Sequence, residues 1–211
     1  MSITLKERNQ TLKEFFDRKT VGYDDVHNAF LDSKKALTAA LPDGVSSVLD
    51  LGAGTGMELI SLFERFPDIA VTAADISEEM LSVLKKRPFA DHVSFVIGDF
   101  FETDFGGNYD AMISTSALHH FSPEEKLVLY RKVYDALKPG GLFVSSDKMA
   151  PTPTQQEENF RMLAEDPHRF PHMDTPLTVA AECTVLEAVG FHIIEVTATS
   201  NQDYYLIKAQ V

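Results

Sequence analysis

The sequence predicts an α/β fold, a mostly parallel sheet flanked by helices, and three observations carry that reading. Apolar strand-like runs alternate with amphipathic helical stretches along the chain. A glycine loop, Gly52-Ala53-Gly54-Thr55-Gly56, joins the first run, Val45 to Leu51, to a helical stretch beginning at Met57. The acids Asp75 and Asp99 stand at the ends of the next two runs, Ile69 to Asp75 and His92 to Gly98. In an open parallel sheet, ligands bind beyond the carboxyl ends of the strands.

Length and composition set the outer limits. The 211 residues suit one domain, and 44% hydrophobic residues are enough for a sizeable core. The formal net charge of -13 repels phosphate backbones and anionic membranes, so nucleic acid and membrane surfaces are poor partners. The sole cysteine, Cys183, cannot close an internal disulfide and reads as a small core residue, which is compatible with a reducing cytoplasm. The N-terminal stretch has no uninterrupted apolar segment of a secretory signal, and no apolar run reaches membrane-spanning length. A cytoplasmic location is expected, and a homodimer is compatible with these features.

Residues 1–44 read as a helical cap ahead of the sheet, with helices over Leu5 to Lys19 and Val26 to Leu41 and a stop at Pro42-Asp43-Gly44. Residues 45–211 form the α/β domain. After the glycine loop, the glycines allow a tight turn and close approach of a ligand to the backbone. Ser77-Glu78-Glu79 caps the helix that follows Asp75. The fourth strand covers Tyr109 to Ser114, with Asp110 read as a structural acid, and leads into Thr115-Ser116-Ala117-Leu118-His119-His120-Phe121. Ser122-Pro123-Glu124-Glu125 opens a helix whose buried stripe is expected at Leu127, Tyr130, Val133, Tyr134 and Leu137. Lys138-Pro139-Gly140-Gly141 stops it, and Leu142 to Asp147 is the fifth strand.

Residues 148–176 have the character of an insert or lid, punctuated by five prolines, with a short helix expected from Thr154. Arg161, His168, Arg169 and His172 could meet an anionic substrate there, against a reading of plain solvated charges. No metal site is expected, because Pro171 breaks the helix that would put His168 and His172 on one face. A helix from Thr175 through Leu186 then leads to strands at Phe191 to Thr197 and Tyr204 to Ala209. Their closeness implies an antiparallel hairpin added to a parallel sheet.

Taken together, Asp50-Leu-Gly-x-Gly-x-Gly, Asp75, Gly98-Asp99-Phe100, Ala117-Leu-His-His120, Leu137-Lys-Pro-Gly-Gly141 and the final hairpin resemble the class I S-adenosylmethionine-dependent methyltransferases, of the type acting on small molecules. The resemblance covers nearly all of residues 45–211. It implies a Rossmann-like seven-stranded sheet of order 3-2-1-4-5-7-6 with strand seven antiparallel. It implies S-adenosyl-L-methionine as cofactor, S-adenosyl-L-homocysteine as product and a small-molecule methyl acceptor. Gly52, Ala53 and Gly54 would floor the amino-acid tail, with Asp50 near its ammonium group. Asp75 would accept the ribose hydroxyls, Ile76 and Phe100 would cover adenine, and Asp99 would accept from its N6 amino group. Ser114 and Tyr23 would lie near the methionine portion. His119 is the candidate base or positioning group for the acceptor, because imidazole titrates near neutrality. Two other readings stay open: a nicotinamide-dependent oxidoreductase, whose fingerprint wants a different glycine spacing, and a non-catalytic protein that binds S-adenosylmethionine.

Overall fold

The computed structural model describes residues 4–166 and 174–211. Seven strands make one sheet, β1 (Ser47–Leu51), β2 (Ala70–Asp75), β3 (Val93–Ile97), β4 (Tyr109–Thr115), β5 (Leu137–Lys148), β6 (His192–Ala198) and β7 (Tyr204–Gln210). Their spatial order is β3-β2-β1-β4-β5-β7-β6. The pairs from β3 through β5 are parallel, and β7 runs antiparallel to both β5 and β6. This is the expected topology, and it departs from the 3-2-1-4-5-6 order of the dinucleotide-binding sheet.

Eight α-helices are described: α1 (Leu5–Lys19), α2 (Tyr23–His27), α3 (Leu31–Ala39), α4 (Met57–Arg65), α5 (Glu78–Leu84), α6 (Pro123–Ala136), α7 (Pro153–Glu165) and α8 (Val179–Val189). Side-chain caps start several of them. Thr4 and Ser122 make full capping boxes with Glu7 and Glu125, and Ser77 accepts from the Met80 amide.

The buried strands divide two apolar layers. One layer packs Leu49, Leu51, Met112 and Phe143 against α6 and α8 through Tyr130, Val133 and Leu186. The other packs Val48, Val71, Ile113 and Val144 against α3, α4 and α5 through Leu37, Leu59 and Leu81. Between α6 and α8, the buried Lys126 ammonium meets Glu182 at 2.5 Å, and the Tyr130 hydroxyl donates to the same carboxylate. A buried ion pair is tolerated where further hydrogen bonds occupy the carboxylate, as the Tyr130 hydroxyl does here.

Three local expectations change. The helix expected over Val26 to Leu41 is broken into α2, a 3-10 turn at Asn28–Phe30, and α3. The break lets Tyr23, His27, Phe30 and Tyr204 pack in series, with ring centroids 3.8, 5.9 and 5.1 Å apart. On α6 the buried stripe runs Lys126, Leu129, Tyr130, Val133 and Ala136, and Leu127 is exposed. Leu127 lies one helical step, about 100°, off the face set by the Lys126–Glu182 pair. The pairing of β5 with β4 begins at Leu137, before the Gly140-Gly141 turn, with a bulge in the ladder.

The cap is joined to the sheet by polar contacts. Asn9 donates to Asp99 at 2.8 Å, Ser77 donates to Asp17 at 2.7 Å, and Thr55 donates to Asp24 at 2.6 Å. Arg8 pairs with Glu125, and Ser33 donates to Asn201 at 2.7 Å. Each of these ties a residue of 1–44 to a loop at the carboxyl edge of the strands or to the helix that follows it.

Candidate active site

A cavity lies at the carboxyl ends of β1, β2, β3 and β4, under the N-terminal helices. The glycine loop forms its floor. Gly52 and Gly56 take φ values of +79° and +73°, a region costly for side chains. A Cβ at Gly52 would fall 2.4 Å from the Ala117 Cβ, so the floor closes against the loop after β4 only because Gly52 lacks a side chain. The loop amide of Gly54 donates to Asp75 Oδ2 at 2.8 Å, and the Ser77 amide donates to Oδ1 at 2.8 Å.

Asp75 is buried at the end of β2. Burial raises its pKa to about 6, against the lowering effect of those two amide donors. Ile76 follows it on the wall. At the end of β3, Asp99 holds the Phe101 amide at 2.9 Å with one oxygen and the Asn9 side chain with the other. Phe100 also borders the cavity, packed edge-on to Phe105 and Phe121. Tyr23 enters from the start of α2, its phenol held neutral by burial and by Glu58 and Asp75. Gly52, Ala53 and Gly54 are on the wall as expected.

Three expected positions are not on that wall. Asp50 is fully buried behind the glycine loop, its carboxyl hydrogen-bonded to that of Glu58. Burial and the nearby Glu58 charge push its pKa well above the ordinary carboxylate value, which favours the neutral acid. Ser114 is fully buried and donates to the Leu51 carbonyl at 2.7 Å, pinning β4 to β1. His119 is buried with its Nδ1 2.5 Å from Asp147 Oδ1, while the neighbouring His120 lines the cavity.

The wall also holds residues that no motif marked. Glu58, in the first turn of α4, takes the place beside the glycine loop expected for Asp50. Its Oε2 accepts from Lys34 of α3 at 2.7 Å, and Thr115 bonds both groups at 3.2 Å. Asn9 reaches in from α1, and its Oδ1 is buried and unpartnered. The only local signals were a polar residue on the apolar face of α1 and an acid at a helix start, both too common to single out.

Of the insert, α7 is longer than expected, and its Arg161 pairs with Glu158 and Glu165 on the same exposed face. His168, Arg169 and His172 lie outside the described residues.

Residues 48–141 match the family model of the methyltransferase domain. The chain is 31% identical over 145 residues to the malonyl-[acyl-carrier protein] O-methyltransferase of Priestia megaterium, covering 65% of this chain and 51% of that protein. It is 28% identical over 148 residues to the carboxy-S-adenosyl-L-methionine synthase of Campylobacter fetus, covering 65% of this chain and 63% of that protein. The chain thus spans between half and two thirds of the length of these two curated relatives. Among solved structures, the 1,6-didemethyltoxoflavin-N1-methyltransferase of Burkholderia thailandensis, with bound S-adenosylhomocysteine, superposes with a TM-score of 0.77. That match covers 100% of this chain and 91% of the other at 20% identity, a likeness of fold. The family match over residues 48–141, the strand order and these relatives make the chain similar to the class I S-adenosylmethionine-dependent methyltransferases.

Proposed function

We propose that this protein binds S-adenosylmethionine in this cavity and transfers its methyl group to a small molecule. The observation that carries the reading is the buried, unpartnered acceptor Asn9 Oδ1 on the same wall as the Glu58 carboxylate. The cofactor has two groups of matching chemistry, the adenine amino group and the α-ammonium. An unmet buried acceptor costs about 1–3 kcal/mol, so a ligand donor at Asn9 Oδ1 offsets a standing penalty. The residues therefore fit the group.

In this reading Asp99 and Asn9 accept from the adenine amino group, and Ile76 and Phe100 cover the ring. Asp75 accepts the ribose hydroxyls. Glu58 accepts from the ammonium, and Lys34 offers a charge to the carboxylate of the same tail. Asp50 supports the loop from behind in its neutral form. The cofactor, when bound, supplies a sulfonium-activated methyl group, so the protein's task is to align the acceptor and exclude water. Phe16, Phe121 and His120 close the end of the cavity left for the acceptor. The net charge of -13 favours a small molecule over nucleic acid as that acceptor.

Calorimetry with S-adenosylhomocysteine, followed by labelled-methyl transfer to a metabolite panel, tests this. Stoichiometric binding and label on an acceptor are expected. Folded protein that shows no binding overturns the reading, and binding without transfer to any acceptor favours the non-catalytic alternative.

A further inference from the structure

Behind the acceptor end of the cavity, His119, His120 and Asp174 each present one ligand atom within 4.8 Å of the others. Asp174 Oδ1 lies 3.6 Å from His119 Nε2 and 3.4 Å from His120 Nδ1. Both separations are longer than the usual N–H···O bond of about 2.7–3.2 Å. They match the roughly 3.3–3.6 Å between two ligand atoms on a tetrahedral zinc ion with bonds of about 2.0–2.2 Å.

The surroundings orient the same atoms. His119 Nδ1 faces Asp147 Oδ1 at 2.5 Å, so that nitrogen donates to the carboxylate and Nε2 is the ring atom turned towards Asp174. A carboxylate behind a histidine in this way is the usual support of a metal ligand. Asp147 is itself fixed, since its Oδ2 accepts from the Leu118 and His119 amides at 2.7 and 3.1 Å. Lys148 donates to the other oxygen of Asp174 at 2.9 Å, which fixes the carboxylate. The Thr175 amide donates to the His119 carbonyl at 2.7 Å and ties the segment carrying Asp174 to the loop carrying both imidazoles.

We propose that His119, His120 and Asp174 form a binding site for a divalent transition-metal ion of the zinc type. Two imidazoles and one carboxylate suit such an ion and, among the described residues, leave its fourth position open. Because His120 is on the cavity wall, that open position takes water or an anionic oxygen of a molecule in the acceptor end. In this site His119 serves as a metal ligand, in place of the free base expected of it.

The test uses the full chain, stripped with a chelator and without S-adenosylhomocysteine, so its result is independent of cofactor binding. Calorimetry with Zn²⁺, and the visible absorption of bound Co²⁺, are the readouts. One ion per chain with a tetrahedral Co²⁺ spectrum is expected. Asp174→Ala and His120→Ala should each weaken binding by at least about tenfold, and Asp147→Asn by about tenfold through His119. Asp174 is the most exposed of the three ligands, so its variant should keep the native melting profile and circular dichroism. Absence of stoichiometric binding by the native chain overturns the proposal. So does unchanged affinity in the folded Asp174→Ala and His120→Ala variants.

Discussion

The Asn9 side-chain amide donates to Asp99 across 2.8 Å, so the N-terminal cap grips the carboxylate at the end of β3 that was expected to read adenine. The other end of the same amide, Oδ1, is a buried acceptor on the cavity wall. Asn9→Ala removes both the clasp and the acceptor. It should weaken S-adenosylhomocysteine binding by about tenfold, the effect of one good hydrogen bond. Asn9→Asp keeps the acceptor but sets a second carboxylate against Asp99, and should weaken binding at least as much. Calorimetry on the two variants checks both.

The Lys34–Glu58 pair makes a different prediction, because its members are buried and charged. Lys34→Met leaves Glu58 as an uncompensated buried charge and should lower stability by about 3 kcal/mol, read from urea denaturation. Glu58→Gln keeps the shape but removes the charge facing the ammonium, and should weaken binding of S-adenosylhomocysteine more than that of adenosine. Equal losses for the two ligands would place Glu58 elsewhere than at the amino-acid tail.

Asp75 sets a pH dependence. Its folded pKa of about 6 is above the ordinary value near 3.8, chiefly through burial. The sign follows from linkage. Its contribution to stability is fully present below pH 3.8 and is lost as pH rises through about 6. Binding runs the other way, since the ionised form offers two full acceptor oxygens to two ribose hydroxyls. Affinity for S-adenosylhomocysteine should therefore fall several-fold as pH drops from about 7.5 to 5, and Asp75→Asn should be weak across that range and flatter.

Asp110 behaves oppositely and lies away from the cavity. Against the cost of burial, Lys138 at 2.5 Å and the amides and hydroxyls of Ser46 and Ser47 hold its pKa below the ordinary value. Its contribution is present above pH 3.8 and lost as pH falls below it. Asp110→Ala should lower the melting temperature at neutral pH, narrow the difference from wild type at strongly acid pH, and leave cofactor affinity unchanged.

Gly52→Ala tests the cavity floor. The added Cβ meets the Ala117 Cβ at 2.4 Å, and neither atom can turn away. The substitution should cost about 1–3 kcal/mol from overcrowding and left-handed backbone together, and should abolish measurable cofactor binding.

The residues that were legible share one property: their role is local. Gly52 had to lack a side chain, Asp75 and Asp99 had to end strands, and Ser77 and Ser122 had to cap helices. Each requirement is met within a few residues of chain, so spacing alone exposes it. Strand order followed for the same reason, from the sequence of strands and helices and the closing hairpin. Even the misplaced stripe on α6 erred by one position, because Lys126 counts as a polar residue until Glu182 of α8 is brought beside it.

The sequence by itself determined the fold, the cavity's edge and the two acids Asp75 and Asp99. Tertiary structure decided which other groups face the cavity. Asp50 lies in the loop motif but points into the protein, while Glu58 and Lys34 meet across 24 residues and Asn9 reaches Asp99 across 90. It also decided between His119 and His120, identical neighbours that a 3-10 turn at Leu118–His120 turns to different partners. The physical reason is that propensity and spacing govern backbone form, whereas the direction of a buried charge depends on which distant charge comes to neutralise it.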